Sequence, residues 1–179
     1  MSTLWTNLAH PLPGYSPSVA MALWQLEDSR HRTLRWLATV DSALVDWEPD
    51  NGDTVNTLGT LLYHIGAIEI DWVFYDILQT DFPADVERLF DVDVRDGSGR
   101  LSVVRKQPVD QHLHRLQVAR HAVLDALRPM TESDFVRPRT MERYLVSPAW
   151  ALHHLAQHEA EHRGEMMALI ARAPKPSAD

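Results

Sequence analysis

Four of the chain's ten histidines fall in one stretch, "WALHHLAQHEAEHRGEM", Trp150 to Met166. Imidazole is a nitrogen donor that is largely uncharged at pH 7, so clustered histidines first suggest a metal ion. Three spacings overlap here. His158-Glu159-Ala160-Glu161-His162 reads H-E-x-x-H, the helical zinc motif in which two histidines hold the ion and the glutamate is the base. Glu159 to His162 reads E-x-x-H, one part of a di-iron bundle site. His158 and His162 alone read H-x-x-x-H, one helical turn apart, which lets both rings reach one ion.

Helical phase sorts these readings. At about 100° per residue, Ala151, Leu155, His158, His162, Met166 and Leu169 share one stripe, expected to face the interior. His153 lies nearly opposite, His154 at the margin, and Glu159 projects away from the histidine pair. Buried imidazoles must be satisfied, either by hydrogen bonds or by an ion. A zinc protease needs a third ligand downstream, but after His162 no histidine follows, and the later acids are Glu165 and Asp179. A di-iron site needs a second E-x-x-H, which the sequence lacks. A third ligand is therefore sought on another helix. His64, flanked by Leu61, Ile68 and Trp72, is the best candidate. His31, His112, His114 and His121 sit among Arg, Asp and Gln and are expected to be solvated or at a rim; His10 is incidental.

The elements that must position these residues are helices. Ser16 caps a first helix with Pro17 at its first position, where a missing N–H costs nothing. Leu23, Leu26, Leu34, Leu37 and Val40 form its apolar positions, with Arg30, Arg32 and Arg35 on other faces. A second helix follows Asn56 or Thr57 and is apolar on most sides, as expected of a heavily buried helix. A connection of about residues 80–107 then separates it from a third helix carrying Leu113, Leu116, Val123, Leu124 and Leu127. It holds one short helical stretch, "DFPADVERLF", and turn signals at Asp96-Gly97 and Ser98-Gly99. That length is enough to return the chain to the far end of a bundle, making helices two and three parallel. A second long loop leads to the fourth helix, opened by Ser147-Pro148 and running to about Arg172. The reading is an all-α four-helix bundle with up-down-down-up topology and no convincing sheet. It is taken as a single domain over 1–179, with an extended arm over 1–16, docked through Trp5, Leu8, Leu12 and Tyr15, and a polar tail over 173–179.

Composition excludes several classes. The 179 residues are 45% hydrophobic and 23% charged, ordinary for a globular chain. There is no cysteine, so disulfides and thiolate zinc sites are absent together. The net charge of -8, from 17 basic and 25 acidic residues with no long basic run, argues against a nucleic-acid partner. No apolar stretch reaches the roughly 20 residues of a membrane span, and the first residues do not read as a secretory signal. The expected location is the cytoplasm.

"LLYHIGAIEIDW" and "WALHHLAQHEAEHRGEM" together resemble the DinB/YfiT-like family of small bacterial bundle proteins. That family carries a histidine in helix two and H-x-x-x-H, often within HE-x-x-HRGQ, in helix four. His64, His158 and His162 match it, as do Glu159, Arg163 and Gly164; the resemblance covers about Ser18 to Arg172. It implies a divalent metal held by three imidazoles: zinc, nickel, iron or manganese. Some branches are S-transferases using mycothiol, bacillithiol or glutathione, and one is a maleylpyruvate isomerase. Where the family usually has Gln after His-Arg-Gly, this chain has Glu165, which fixes the His162 tautomer, adds a negative ligand, or is a rim carboxylate paired with Arg163 or another base.

Three functions follow as expectations. The first is a metal-dependent transferase or hydrolase acting on a small-molecule substrate, with a low-molecular-weight thiol as one option for its cofactor. Leu61, Ile68, Trp72, Leu155 and Met166 would wall its site, and Tyr63, Asp71, Arg163 and Glu165 are polar helpers. The second is a non-catalytic metal-binding stress-response bundle. The third is a metal-free interaction module. A homodimer is an option the sequence leaves open.

Overall fold

The structure, a computed structural model, describes residues 7–50 and 56–174. Trp5 and the last residues of the tail lie outside the described residues. Four long helices make the body: α1 (Pro17–Leu37), α2 (Leu58–Ile70), α4 (Val109–Leu127) and α6 (Pro148–Ile170). The short helices α3 (Ala84–Glu87) and α5 (Glu132–Val136) lie in the two long connections.

The helix starts follow their cap chemistry. Thr57 accepts from the Thr60 amide, and Ser147 from the Trp150 amide with Pro148 first in the helix. Ser16 precedes Pro17 as expected, but its hydroxyl donates to the Met130 carbonyl and so ties α1 to the loop after α4. Tyr15 and Leu12 pack on the core, Tyr15 donating to the Leu124 carbonyl at 3.0 Å, while Leu8 is exposed.

Cross-helix contacts fix the directions. Thr60 near the start of α2 donates to the Val104 carbonyl just before α4, and Glu69 near the end of α2 meets Arg120 late in α4, so α2 and α4 are parallel. Leu37 at the end of α1 packs with Leu58 at the start of α2, so those two are antiparallel. Ser29 of α1 donates to the Ala156 carbonyl of α6, and Pro17 and Ala149 line one cavity, so α1 and α6 run together. The bundle is up-down-down-up, and among the described residues it is all α apart from one small hairpin and an isolated bridge between Arg95 and Leu101. The α2 to α4 return is tied down by Tyr63, whose hydroxyl donates to the Val92 carbonyl and accepts from the Val92 amide. Gly66 makes that packing possible: a Cβ there would sit 2.9 Å from Phe90 and 3.3 Å from Leu116.

Several expectations are corrected. The second loop contains an antiparallel hairpin, β1 (Arg139–Thr140) with β2 (Leu145–Val146). Strands of two residues carry no readable alternation. Leu34 is 40% exposed rather than in the core. Beyond Ile70, α2 continues as a π-helical segment, Asp71–Leu78, closed by Gln79 in the left-handed region at φ 55. Arg30, assigned to an outer face, is buried, and so is Glu159, at 2% exposure.

These last two belong to one network that joins all four long helices. Arg30 of α1 donates to Glu69 of α2 at 2.6 Å and to Glu159 of α6 at 2.9 Å. Arg120 of α4 donates to Glu69 at 2.5 Å, lies 3.5 Å from Glu159, and reaches Glu27 at 2.6 Å. Burial would raise the Glu69 carboxyl, but Arg120 and Arg30 outweigh it and hold it below the usual carboxylate range.

His112 is also corrected. It is buried inside the bundle; among the described residues neither ring nitrogen is hydrogen-bonded, and Nε2 is pressed against Gly59, where a Cβ would sit 3.0 Å away. Burial, then Arg115, push its pKa down to about 4 from 6.5, against the pull of Asp46. The unfolded chain therefore takes up this proton as pH falls through 6.5, and the native chain does so only near 4. The stability associated with neutral His112 is complete above 6.5 and lost on the way down. By pH 5 the loss is about 2 kcal/mol from this group. Urea unfolding at pH 7 and pH 5, in chelator, should show His112→Leu losing less stability than wild type by that amount; equal losses would contradict it.

Candidate metal centre

His64 lies mid-way along α2, and His158 and His162 one turn apart on α6, which packs against it. His158 Nε2 is 3.1 Å from His64 Nε2 and 3.1 Å from His162 Nε2. One nitrogen from each ring falls within 4.8 Å of the other two. The rings cross at steep angles, 88° between His64 and His162 and 84° between His158 and His162, so they converge edge-on rather than stack.

That convergence bears on the choice between a hydrogen-bonded trio and an ion site. Glu165 Oε2 lies 2.8 Å from His162 Nδ1, and the same carboxylate accepts from Asn56 at 3.1 Å. A carboxylate beside Nδ1 calls for the proton there, leaving His162 Nε2 bare. His158 Nε2 then faces two nitrogens with at most one proton to offer. Burial, followed by His162 and His64, pushes His158 down to about 3; burial, then His162, pushes His64 to about 4. Both are uncharged at neutral pH, so no added proton resolves the crowding. One cation accepting three lone pairs does, and the residues fit it. Among the described residues, His64 Nδ1 is buried without a hydrogen-bond partner.

The interior of α6 is not centred on the histidines. Glu159 is more buried than either of them and is committed to Arg30 and Arg120. The glutamate of the apparent H-E-x-x-H is thus taken by arginines and is not available as a base or a metal ligand. Glu165 accepts from His162 and Asn56, not from Arg163. Arg163 turns to α1, donating to the Ser29 carbonyl at 3.0 Å and to Thr33 at 3.3 Å. Tyr63 faces the α2 to α4 return, under Phe90 and Arg115. Asp71 is half-buried on the π-helical segment, near Asp76 and away from the imidazole trio's hydrogen bonds. Among the proposed wall residues Leu61, Leu155 and Met166 are core, and Trp72 lines a cavity beside the β1–β2 hairpin.

Sequence reasoning missed His154. Trp150, His154, His158 and His162 recur every fourth residue and form a continuous ladder on α6. His154 stacks on Trp150 at 5.0 Å and 14°, touches Trp72 at 5.3 Å, and stands 5.8 Å from His158. The i+4 repeat was the available signal; the margin position of His154 hid it.

The sequence profile of the DinB superfamily matches residues 25–166. The chain is also 29% identical over 117 residues to a Bacillus subtilis (strain 168) protein named "Uncharacterized protein YkkA", covering 65% of this chain and 66% of that one, just under two thirds of its length. Among the described residues no helix is long and apolar enough to cross a membrane.

Proposed function

The chain belongs to the DinB superfamily, and with three imidazoles aimed at one point we propose that it is a metal-dependent transferase or hydrolase. One divalent ion would be held by His64, His158 and His162, and S-transfer from a low-molecular-weight thiol is the form to test first. The observation that carries this is the paired 3.1 Å approach of three Nε2 atoms, two of them on rings kept uncharged by burial.

A bound divalent ion would supply charge that lowers the pKa of a water or thiol and makes a nucleophile available near neutral pH. The protein's own residues do the rest. Three neutral donors leave the ion's charge undiminished, and they suit zinc, nickel, iron or manganese. Glu165 holds the His162 proton on Nδ1 and keeps Nε2 for the ion. That hydrogen bond, more than any other cause, keeps the Glu165 carboxyl below its ordinary range, so it stays an acceptor through mild acid. Leu61, Leu155 and Met166 close the interior side against water.

The test loads the protein separately with each of the four metals. It is then incubated with an electrophile and with mycothiol, bacillithiol or glutathione, or with an ester alone. Turnover should need one metal, fall by more than about 10²-fold in His162→Ala, and fall about 10- to 100-fold with weaker metal affinity in Glu165→Ala. Metal bound at full stoichiometry with no turnover of any thiol or ester would sink the enzymatic reading. It would leave a metal-stapled bundle.

A further inference from the structure

A cavity of about 580 Å³ opens between the β1–β2 hairpin and the start of α6, lined in part by Trp72, Tyr144, Trp150, Val136, Leu145 and Val146. Trp72 lies 5.4 Å from Trp150 at 54° and 6.1 Å from Tyr144 at 50°. Neither pair is stacked flat, so these rings do not spend their faces on one another; one face of Trp150 is covered by His154 and the other is left for a ligand. Trp150 is 51% exposed and Tyr144 46%. An aromatic face is the negative part of the ring's quadrupole and attracts an organic cation.

Two acids stand behind the cleft. No lining residue is charged. Behind the rings, the Tyr144 hydroxyl donates to Asp76 at 2.6 Å, and Asp76 is buried. Asp71 is close enough to bear on the same hydroxyl. In an α-helix residues five apart lie about 140° round the axis. The π-helical segment Asp71–Leu78, with its i to i+5 bonding, brings Asp71 and Asp76 to one side instead. Among the described residues neither acid has a lysine or arginine at ion-pair distance. On the segment leading into the hairpin, Arg137 pairs with Asp134, and Arg139 donates to the Ile77 and Arg137 carbonyls. Burial first, then Asp76, raise the Asp71 carboxyl, the mark of an acid without a counter-charge.

We propose that this cleft binds an organic ammonium ion, seated on Trp72, Tyr144 and Trp150 with Asp71 and Asp76 behind it. Val136, Leu145 and Val146 take its hydrocarbon body. The cleft leads to the imidazoles through His154, which contacts Trp72, Trp150 and His158. The ammonium compound is thus the substrate class of the metal site, and that identification rests on the function proposed above. Binding itself does not, because the rings and acids are complete without a metal.

Calorimetry on chelator-treated protein separates the two. The probes are benzyltrimethylammonium, benzylammonium, benzyl alcohol and benzenesulfonate. Both cations should saturate at one per chain, benzyl alcohol should bind at least about tenfold more weakly, and benzenesulfonate should not bind. Asp71→Asn and Trp150→Leu should each weaken cation binding about tenfold, with wild-type unfolding midpoints. A tighter quaternary probe identifies a methylated amine as the substrate, and a tighter primary probe an unmethylated one. Equal affinity for benzyl alcohol, no saturation by either cation, or full affinity in both variants overturns the proposal. Failure of the metal reading would appear elsewhere, as missing metal.

Discussion

Arg120→Ala is expected to destabilise the protein by about 3–5 kcal/mol, the cost of removing one partner from a buried ion network. In a chain of this size that lowers the melting temperature by roughly 10 °C. Arg120 is buried on α4 and meets Glu69, Glu159 and Glu27, so its loss leaves two buried carboxylates sharing Arg30 alone. Arg30 cannot replace it, since its guanidinium is already divided among Glu69, Glu159 and the Leu116 carbonyl. The network's worth lies in its completeness rather than its charge. Glu69→Ala should cost a similar amount, and the double variant clearly less than the sum of the singles, by about 1–3 kcal/mol of coupling. Chemical unfolding of the four proteins reads this out. Additive losses would mean that the two groups act independently and that the network is not a unit.

The second large effect is linkage between metal and folding. An ion that binds the native site and not the unfolded chain stabilises by about 4 kcal/mol when its free concentration is a thousand times its dissociation constant. Excess zinc or nickel should therefore raise the melting temperature of chelator-treated protein by roughly 10 °C. His158→Ala should abolish the shift, because His158 is the imidazole whose Nε2 meets both others. His153→Ala should keep it, since that side chain is exposed on the other side of α6. A shift that survives in His158→Ala would place the ion elsewhere. The pH dependence is a further check. His64 and His158 are held neutral well below pH 6, so their protonation does not compete with the ion until the medium is more acid than a free histidine would require.

What could be read from the sequence was periodic or local. Ser147-Pro148 and Thr57 announce helix starts because capping is a contact between near neighbours. His158 and His162 announce a shared face because four residues make one turn, and the single apolar-flanked histidine of α2 supplied their partner. Phase alone could not tell a buried charge from a solvated one. Arg30 follows Leu26 by four residues and Glu159 follows Leu155 by four, so each shares a phase with core residues, and each is the other's reason for being inside. Their signal was opposite charge at apolar phases on four helices at once, with Glu69 in a helix otherwise almost wholly apolar. His112 was hidden in another way: its ring is buried against Gly59 of α2, a neighbour that is remote in sequence. The π-helical segment breaks the 100° rule that every projection assumed, so the joint position of Asp71 and Asp76 was out of reach.

The most direct test of the central claim is elemental analysis of protein purified without a histidine tag, wild type beside the single variants His64→Ala, His158→Ala and His162→Ala, with His154→Ala as control. The account predicts one divalent ion per chain in wild type and His154→Ala, and almost none in the other three. Full metal content in any two of those three, with folding intact, would contradict it.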